Sequence, residues 1–445
     1  MKILFISLGC DKNLVDSEVM LGLLEKKGFS FTDDETEADV IVVNTCCFIN
    51  DAKEESVNTI LEMAQYKTEG SCKALIVTGC LAQRYQKEIV EEVPEVDAVL
   101  GTTTYDAIAE AVENALAGQK KLKFEDIDRL VPAQKGRVLT TGGHYAYLKI
   151  AEGCDKRCTY CIIPKIRGSF RSVPMEELLK EAEELADAGV KELILVAQET
   201  TLYGKDLYGK KMLPELLRRL AAVPGIRWIR VLYCYPEEIT EELIQVIKEE
   251  PKICHYLDLP IQHASDRILR RMGRRTTQED LRRIIGRLRE EIPDICLRTT
   301  LITGFPGETQ EDHEELMRFV DDCEFDRLGV FTYSPEEDTP AASMPDQIPE
   351  ELKEERRAEI MELQQEIAFD KAEEMEGREL LVMIEGKVAD ENAYVGRTYK
   401  DAPGVDGYLF LNTQEELMSG DFAMVHVTGA AEYDLIGELK DEFTE

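Results

Sequence analysis

Gly153-Cys154-Asp155-Lys156-Arg157-Cys158-Thr159-Tyr160-Cys161 sets three thiols in a C-x3-C-x2-C spacing. The apolar run at 145–150 just before it is strand-like, so the loop leaves the end of a strand. Thiolates this close can each take one iron of a [4Fe–4S] cluster, since cysteine thiolates hold such clusters. No fourth cysteine lies nearby, which leaves one iron open to an outside ligand. Zinc and buried structural thiols are the competing readings. Structural zinc sites, however, pair C-x2-C knuckles and use four ligands.

Toward the N-terminus, three β-branched apolar runs alternate with helical patterns. Residues 2–10, 38–46 and 73–80 end in Cys10, Cys46 and Cys80. Continuous apolar runs of this length mark buried parallel strands. Between them, 16–27 carries Val19, Met20, Leu23 and Leu24 on one face, and 51–65 carries Val57, Ile60, Leu61 and Ala64. The alternation predicts a doubly wound parallel sheet. Function in such sheets gathers beyond the carboxyl ends of the strands. Cysteines at three equivalent strand ends therefore predict a second [4Fe–4S] cluster on Cys10, Cys46 and Cys80, again with an open iron. Buried core cysteine is the plainer reading. Cys47 competes with Cys46 but points to the other side of its strand, and Cys72 lies at the wrong end.

Toward the C-terminus, strand-like runs at 145–150, 192–197, 228–233, 256–259, 296–302 and 328–332 alternate with helical patterns. The alternation predicts an incomplete (β/α)6 barrel with its active site at the carboxyl face. Polar groups stand at the strand ends. Gln198 and Glu199 follow the second strand, and Gln262 and His263 the fourth. The fifth runs into TLITGFPGE, Thr300 to Glu308, where Gly304 permits close approach to a ligand. Gln198, Gln262, His263, Thr300, Gly304 and Glu308 are thus candidate cofactor contacts, with hydrogen-bonded loop residues as the plainer alternative. Cys234, Cys254, Cys296 and Cys323 read as buried. Arginines from Arg267 to Arg289 read as a solvated, salt-bridged helix face, or else as an RNA or cofactor contact.

A charged helix opens at Pro349 and ends at Gly377. About five short strands follow and predict a small antiparallel barrel. The expected units are therefore 1–117, 140–372 and 374–441, an α/β multidomain protein. The 445 residues carry a net charge of −36, and from Glu374 onward 17 acidic residues face 5 basic ones. Such acidity opposes a grip on nucleic acid and suits a lysine- and arginine-rich partner, or serves solubility. The longest apolar runs are too short for a membrane span, and the N-terminus lacks a signal-peptide pattern. A cytoplasmic location is expected, with the 12 cysteines reduced.

SLGCDKNLVDSEVMLGLLE, AEGCDKRCTYCIIPKIRGSFRS and VGRTYKDAPGVDG carry a resemblance that covers the whole chain. It is similar to the methylthiotransferase family of radical S-adenosylmethionine (SAM) enzymes. The resemblance implies an auxiliary-cluster domain, a radical SAM barrel and a C-terminal TRAM domain. It implies two [4Fe–4S] clusters, Cys154, Cys158 and Cys161 holding the SAM-cleaving one and Cys10, Cys46 and Cys80 the sulfur-carrying one. One SAM would supply a 5′-deoxyadenosyl radical and another a methyl group. The first and last stretches favour the branch acting on the β-carbon of an aspartate in small-subunit ribosomal protein S-twelve, with an electron donor such as a flavodoxin. Asp11 departs from the family's proline, and Thr300 stands where glycine is frequent. A tRNA (adenosine) methylthiotransferase and a non-catalytic iron–sulfur electron carrier are the alternatives.

Overall fold

The structure, a computed structural model, describes residues 1–132, 136–389 and 392–443. Its N-terminal strands are β1 (Lys2–Ser7), β2 (Ser30–Phe31), β3 (Val40–Thr45), β4 (Ala74–Gly79), β5 (Val96–Leu100) and β6 (Lys121–Lys123). They pair in the order β2-β1-β3-β4-β5-β6, all parallel. β3 and β4 are buried on both faces, which explains their unbroken apolar runs. Alternate residues feed opposite faces. Ile3, Val40 and Val42 pack with Met20, Leu24, Ile108 and Val112, while Leu4, Ile41 and Val43 pack with Ile60 and Met63. The sheet is doubly wound, as expected. β2 and β6 are too short to leave a pattern, and the sequence reading did not include β5.

The helix Asn50–Glu69 differs from its expected face. Ser56, Ile60, Met63 and Ala64 are buried, whereas Val57 and Leu61 stand 40% and 46% exposed. The apolar arc there is wider than the surface it packs on, so periodicity could not choose its centre.

The middle strands are β7 (Tyr145–Lys149), β8 (Ala151–Glu152), β9 (Arg171–Ser172), β10 (Glu192–Val196), β11 (Trp228–Val231), β12 (Ile253–Asp258), β13 (Cys296–Thr303) and β14 (Arg327–Thr332). Six of them form an open parallel sheet in the order β14-β13-β12-β11-β10-β7. β8 and β9 make a separate antiparallel pair that carries the cysteine loop away from β7. Surrounding helices cover the outer face in one continuous core, giving the incomplete (β/α)6 barrel. Capping boxes at Thr277/Asp280 and Thr309/Asp312 start two of those helices.

The C-terminal strands are β15 (Glu379–Lys387), β16 (Ala393–Arg397), β17 (Leu409–Asn412), β18 (Phe422–Ala431) and β19 (Asp434–Phe443). They close into a barrel in the order β15-β16-β17-β19-β18. Two expectations need correction. β17 and β19 pair parallel, so the barrel is not wholly antiparallel. β18 and β19 are ten residues each, because a tight turn with Glu432 at φ +57 folds them into one long hairpin.

This small barrel plugs the amino end of the large one. Trp228 stacks edge-on against Phe422 at 4.9 Å, and Tyr256 donates to Asp406 at 2.8 Å. Fully buried Glu192 accepts from Arg230 at 2.8 Å and from Arg397 at 2.7 Å. Removing it strands two guanidiniums away from water. Glu192→Ala is therefore expected to lower unfolding stability by ~3–5 kcal/mol, measured by urea denaturation. A loss under ~1 kcal/mol contradicts this packing.

Candidate active site

The order of the N-terminal sheet reverses between β1 and β3, where a crevice opens beyond the strand ends. Cys10 follows β1 and stands at the N-cap of the helix Asp11–Lys26. Cys46 follows β3, and Cys80 follows β4 to open the helix Cys80–Tyr85. Gly9, at φ +93, lies hard against Cys46. A Cβ there would sit 2.6 Å from the Cys46 Cβ and 2.9 Å from its Sγ, so only glycine fits. Cys10 is exposed, while Cys46 and Cys80 are buried. Burial pushes both buried thiols up, and the Arg167 charge opposes it. Cys47 lies in the apolar core, where burial pushes its thiol up to about 12 against the pull of Arg84.

The second triad sits at the barrel's carboxyl face. Cys154 and Cys158 are buried and Cys161 is half-buried. The loop is docked by backbone. Cys154 N donates to Gly168 O at 3.1 Å, and Thr159 N to Met272 O at 2.9 Å. Burial pushes the Cys154 thiol up to about 11. Among the described residues, no three His, Cys, Asp or Glu side chains converge to hold a single metal ion.

The two triads meet across one polar seam. Cys80 Sγ accepts from Arg167 Nε at 3.3 Å, and Arg167 also donates to Glu152 at 3.2 Å. Glu152 accepts from Gln198 at 2.7 Å, and Gln198 in turn accepts from the Gly153 amide, next to Cys154, at 2.8 Å. The end of β11 supplies a second bridge. Tyr233 donates to Asp11, next to Cys10, at 3.1 Å, and Tyr235 Oη lies 3.9 Å from Cys158 Sγ. Lys12 stands 3.3 Å above the Tyr233 ring. Asp11 thus reaches into the barrel, and its other oxygen is buried without a hydrogen-bond partner.

Beside the C-x3-C-x2-C loop lie charged atoms without hydrogen-bond partners. Arg274 lies over the Tyr235 ring at 4.4 Å and donates to Pro260 O at 3.0 Å, but its Nε and NH1 are buried and unpaired. Glu199 is fully buried, with one oxygen on Thr201 and the other without a hydrogen bond, 3.9 Å from Lys156 Nζ. Burial pushes its carboxyl up from the ordinary 4.5 to about 7, against the Thr201 hydrogen bonds and the Lys156 charge. The unfolded chain ionises near 4.5 and the folded one only near 7. The resulting penalty is absent below 4.5 and complete above 7, at about 3 kcal/mol. Glu199→Gln is expected to stabilise the iron-free protein more at about pH 8 than at about pH 5, seen by thermal unfolding at both. Equal changes contradict it.

Several expected cofactor contacts have other duties. Gln198 is spent on Gly153 and Glu152. His263 Nδ1 accepts from the Ala264 and Ser265 amides at 3.0 and 2.9 Å, and its Nε2 faces Glu308 at 3.5 Å. Glu308 also takes Arg356 at 2.8 Å. Both side chains are fully buried framework. A Cβ at Gly304 would collide with the Lys353 side chain, so that glycine makes room for a packed helix. Gln262 and Thr300 join through the backbone, Gln262 N to Thr300 O at 2.9 Å, with half-buried side chains. Part of the arginine-rich stretch is the salt-bridged face: Arg267 pairs with Asp312, Arg282 with Asp322, Arg283 with Asp280 and Arg287 with Glu241. Arg271 and Arg274 instead keep buried N–H groups without a hydrogen-bond partner. Arg167 was missed as a site residue, whereas Glu199 was named only as a strand-end group and Arg274 only as part of the arginine stretch. For Arg167 the stretch CIIPKIRGSF offered a local signal, an arginine six residues beyond Cys161.

Family models match three segments: "Uncharacterized protein family UPF0004" at 2–101, the radical SAM superfamily at 148–320 and the TRAM domain at 377–439. A relative from Lachnoclostridium phytofermentans, the ribosomal protein uS12 methylthiotransferase RimO, is 68% identical over 98% of this chain and 99% of its own. The chain belongs to the RimO family. RimO proteins of Acetivibrio thermocellus and Clostridioides difficile are 54% and 49% identical, each over 99% of both chains. The solved radical SAM methyltransferase TsrM from Kitasatospora setae, with cobalamin and a [4Fe–4S] cluster bound, shares the fold. Its TM-score is 0.54 at 15% identity, over 76% of this chain and 73% of that one. RimO-family membership joins the three matched segments in one radical SAM methylthiotransferase. Among the described residues no helix is long and apolar enough to cross a membrane.

Proposed function

We propose that this chain inserts a methylthio group at the β-carbon of an aspartate in ribosomal protein uS12, in the cytoplasm. The observation that carries this reading is the polar seam joining Cys80 to the Gly153 amide through Arg167, Glu152 and Gln198. Two thiol triads that share one seam can serve one substrate. We assign Cys154, Cys158 and Cys161 to the SAM-cleaving [4Fe–4S] cluster and Cys10, Cys46 and Cys80 to the sulfur-carrying one. The units 1–117, 140–372 and 374–441 carry, respectively, the Cys10/Cys46/Cys80 triad, the Cys154/Cys158/Cys161 triad and the plug.

The residues present fit these groups. Cys10, Cys46 and Cys80 follow three neighbouring strands, and Cys154, Cys158 and Cys161 share one loop, so each set offers three thiols. The Glu199 oxygen and the Arg274 N–H groups that lack hydrogen bonds, near the Cys154/Cys158/Cys161 triad, match the ammonium and carboxylate of an amino acid such as SAM, with Lys156 at 3.9 Å as the present partner of that Glu199 oxygen. When bound, the clusters and SAM supply the electron, the radical, the sulfur and the methyl group that hydrogen removal from an unactivated carbon requires. The protein's own part is positional. Gln198 fixes the Gly153 amide, Tyr235 lies beside Cys158, and the small barrel closes the far end of the lumen against water.

The strong acidity suits a basic ribosomal protein and opposes RNA as the main contact. Arg282 and Arg287, paired with acids, remove the best support for a tRNA substrate. A flavodoxin-like protein fits as the electron donor. Mass spectrometry of uS12 tests the proposal, after incubation with reconstituted enzyme, SAM, sulfide and a low-potential reductant. One methylthio group on a single aspartate is expected. Unmodified uS12 alongside methylthiolated tRNA would contradict it.

A further inference from the structure

Arg167 is among the largest fully buried side chains of the molecule, and it lies between the barrel and the N-terminal sheet. All three of its nitrogens donate. Nε reaches Cys80 Sγ at 3.3 Å, NH1 reaches Asp16 at 2.7 Å and Glu152 at 3.2 Å, and NH2 reaches Asn13 Oδ1 at 3.0 Å. Asn13 then donates to Leu8 O at 2.6 Å and Thr45 O at 3.3 Å. Leu8 lies two residues before Cys10, and Thr45 directly precedes Cys46. One guanidinium thus touches the third cysteine of the N-terminal triad and, through Asn13, steadies the strand ends that carry the other two. Lys149, in contact with Asp16 and Glu152, balances the remaining carboxylate charge. The same Glu152 leads through Gln198 to the Gly153 amide beside Cys154.

We propose that Arg167 is a positioning residue for the sulfur-carrying cluster, setting its reduction potential through the Cys80 sulfur and tying its geometry to the loop of the SAM-cleaving triad. The proposal rests on the reading that Cys80 is an iron ligand. A hydrogen bond and a positive charge at a ligating sulfur stabilise the reduced, more negative cluster and raise its potential. A fixed fork does this without freedom to drift, which a lysine cannot reproduce.

The test uses the full chain with Cys154, Cys158 and Cys161 all changed to alanine, so that only the N-terminal triad can bind iron. Its potential is followed by redox titration with electron paramagnetic resonance detection, with Arg167 intact, as Arg167→Lys, and as Arg167→Gln joined to Asp16→Asn. The double change avoids a stranded carboxylate, and melting curves check each fold. The midpoint is expected to fall in both variants, further with glutamine than with lysine. Selective loss of iron with a normal melting curve also supports the placement. An unchanged midpoint at full iron content overturns the proposal, as does a collapsed melting curve in both variants, which would make Arg167 a folding residue only. If the triple-alanine protein with Arg167 intact holds no iron, the ligand reading fails instead.

Discussion

Cys10→Ala is expected to abolish methylthio transfer to uS12 while SAM cleavage to 5′-deoxyadenosine stays measurable. Cys10 belongs to the triad at the ends of β1, β3 and β4, and it is exposed where Cys46 and Cys80 are buried. Its removal leaves the backbone anchors of the barrel loop, Gly168 O and Met272 O, in place. Alanine is also small enough to keep the Gly9 turn against Cys46. The variant should fold and bind SAM but deliver no sulfur. Chromatography for 5′-deoxyadenosine and mass spectrometry of uS12, run on the same reaction, separate the two activities. Normal methylthiolation by this variant would remove Cys10 from the sulfur-carrying site.

Cys154→Ala is expected to bring both products down to the detection limit. Cys154 is the first thiol of the barrel loop, buried, with its amide held by Gly168 O at 3.1 Å. Cys158 and Cys161 alone leave a cluster one protein ligand short. The N-terminal triad, separated from the loop by Arg167, Glu152 and Gln198, should still bind its own iron. Iron content is thus expected to fall by about half rather than to zero. A variant that loses all iron would show that the two sites fold as one.

The two triads were legible because each is written locally. C-x3-C-x2-C is a spacing, and cysteines after 2–10, 38–46 and 73–80 repeat one position relative to an apolar run. The parallel sheets were legible for the same reason, through strands buried on both faces. What crosses between units was not. Glu192 and Arg397 pair over 205 residues and Arg167 reaches Cys80 over 87, and neither distance leaves a trace in periodicity. The TGFPGE loop is ambiguous in a physical way. A glycine that admits a ligand and one that admits a lysine stem look alike in sequence, and at Gly304 the lysine stem is what is there. Glu199 and Arg274 stand out only once burial and missing partners are known.

The claim on which the rest depends is that one chain holds two clusters at facing strand ends. Anaerobic reconstitution with iron and sulfide, followed by iron analysis and Mössbauer spectroscopy, measures it directly. The account predicts about eight irons per chain as two [4Fe–4S] clusters, falling to about four in either triple-alanine variant of a triad. About four irons in the unaltered protein, all lost with Cys154, Cys158 and Cys161, would contradict it.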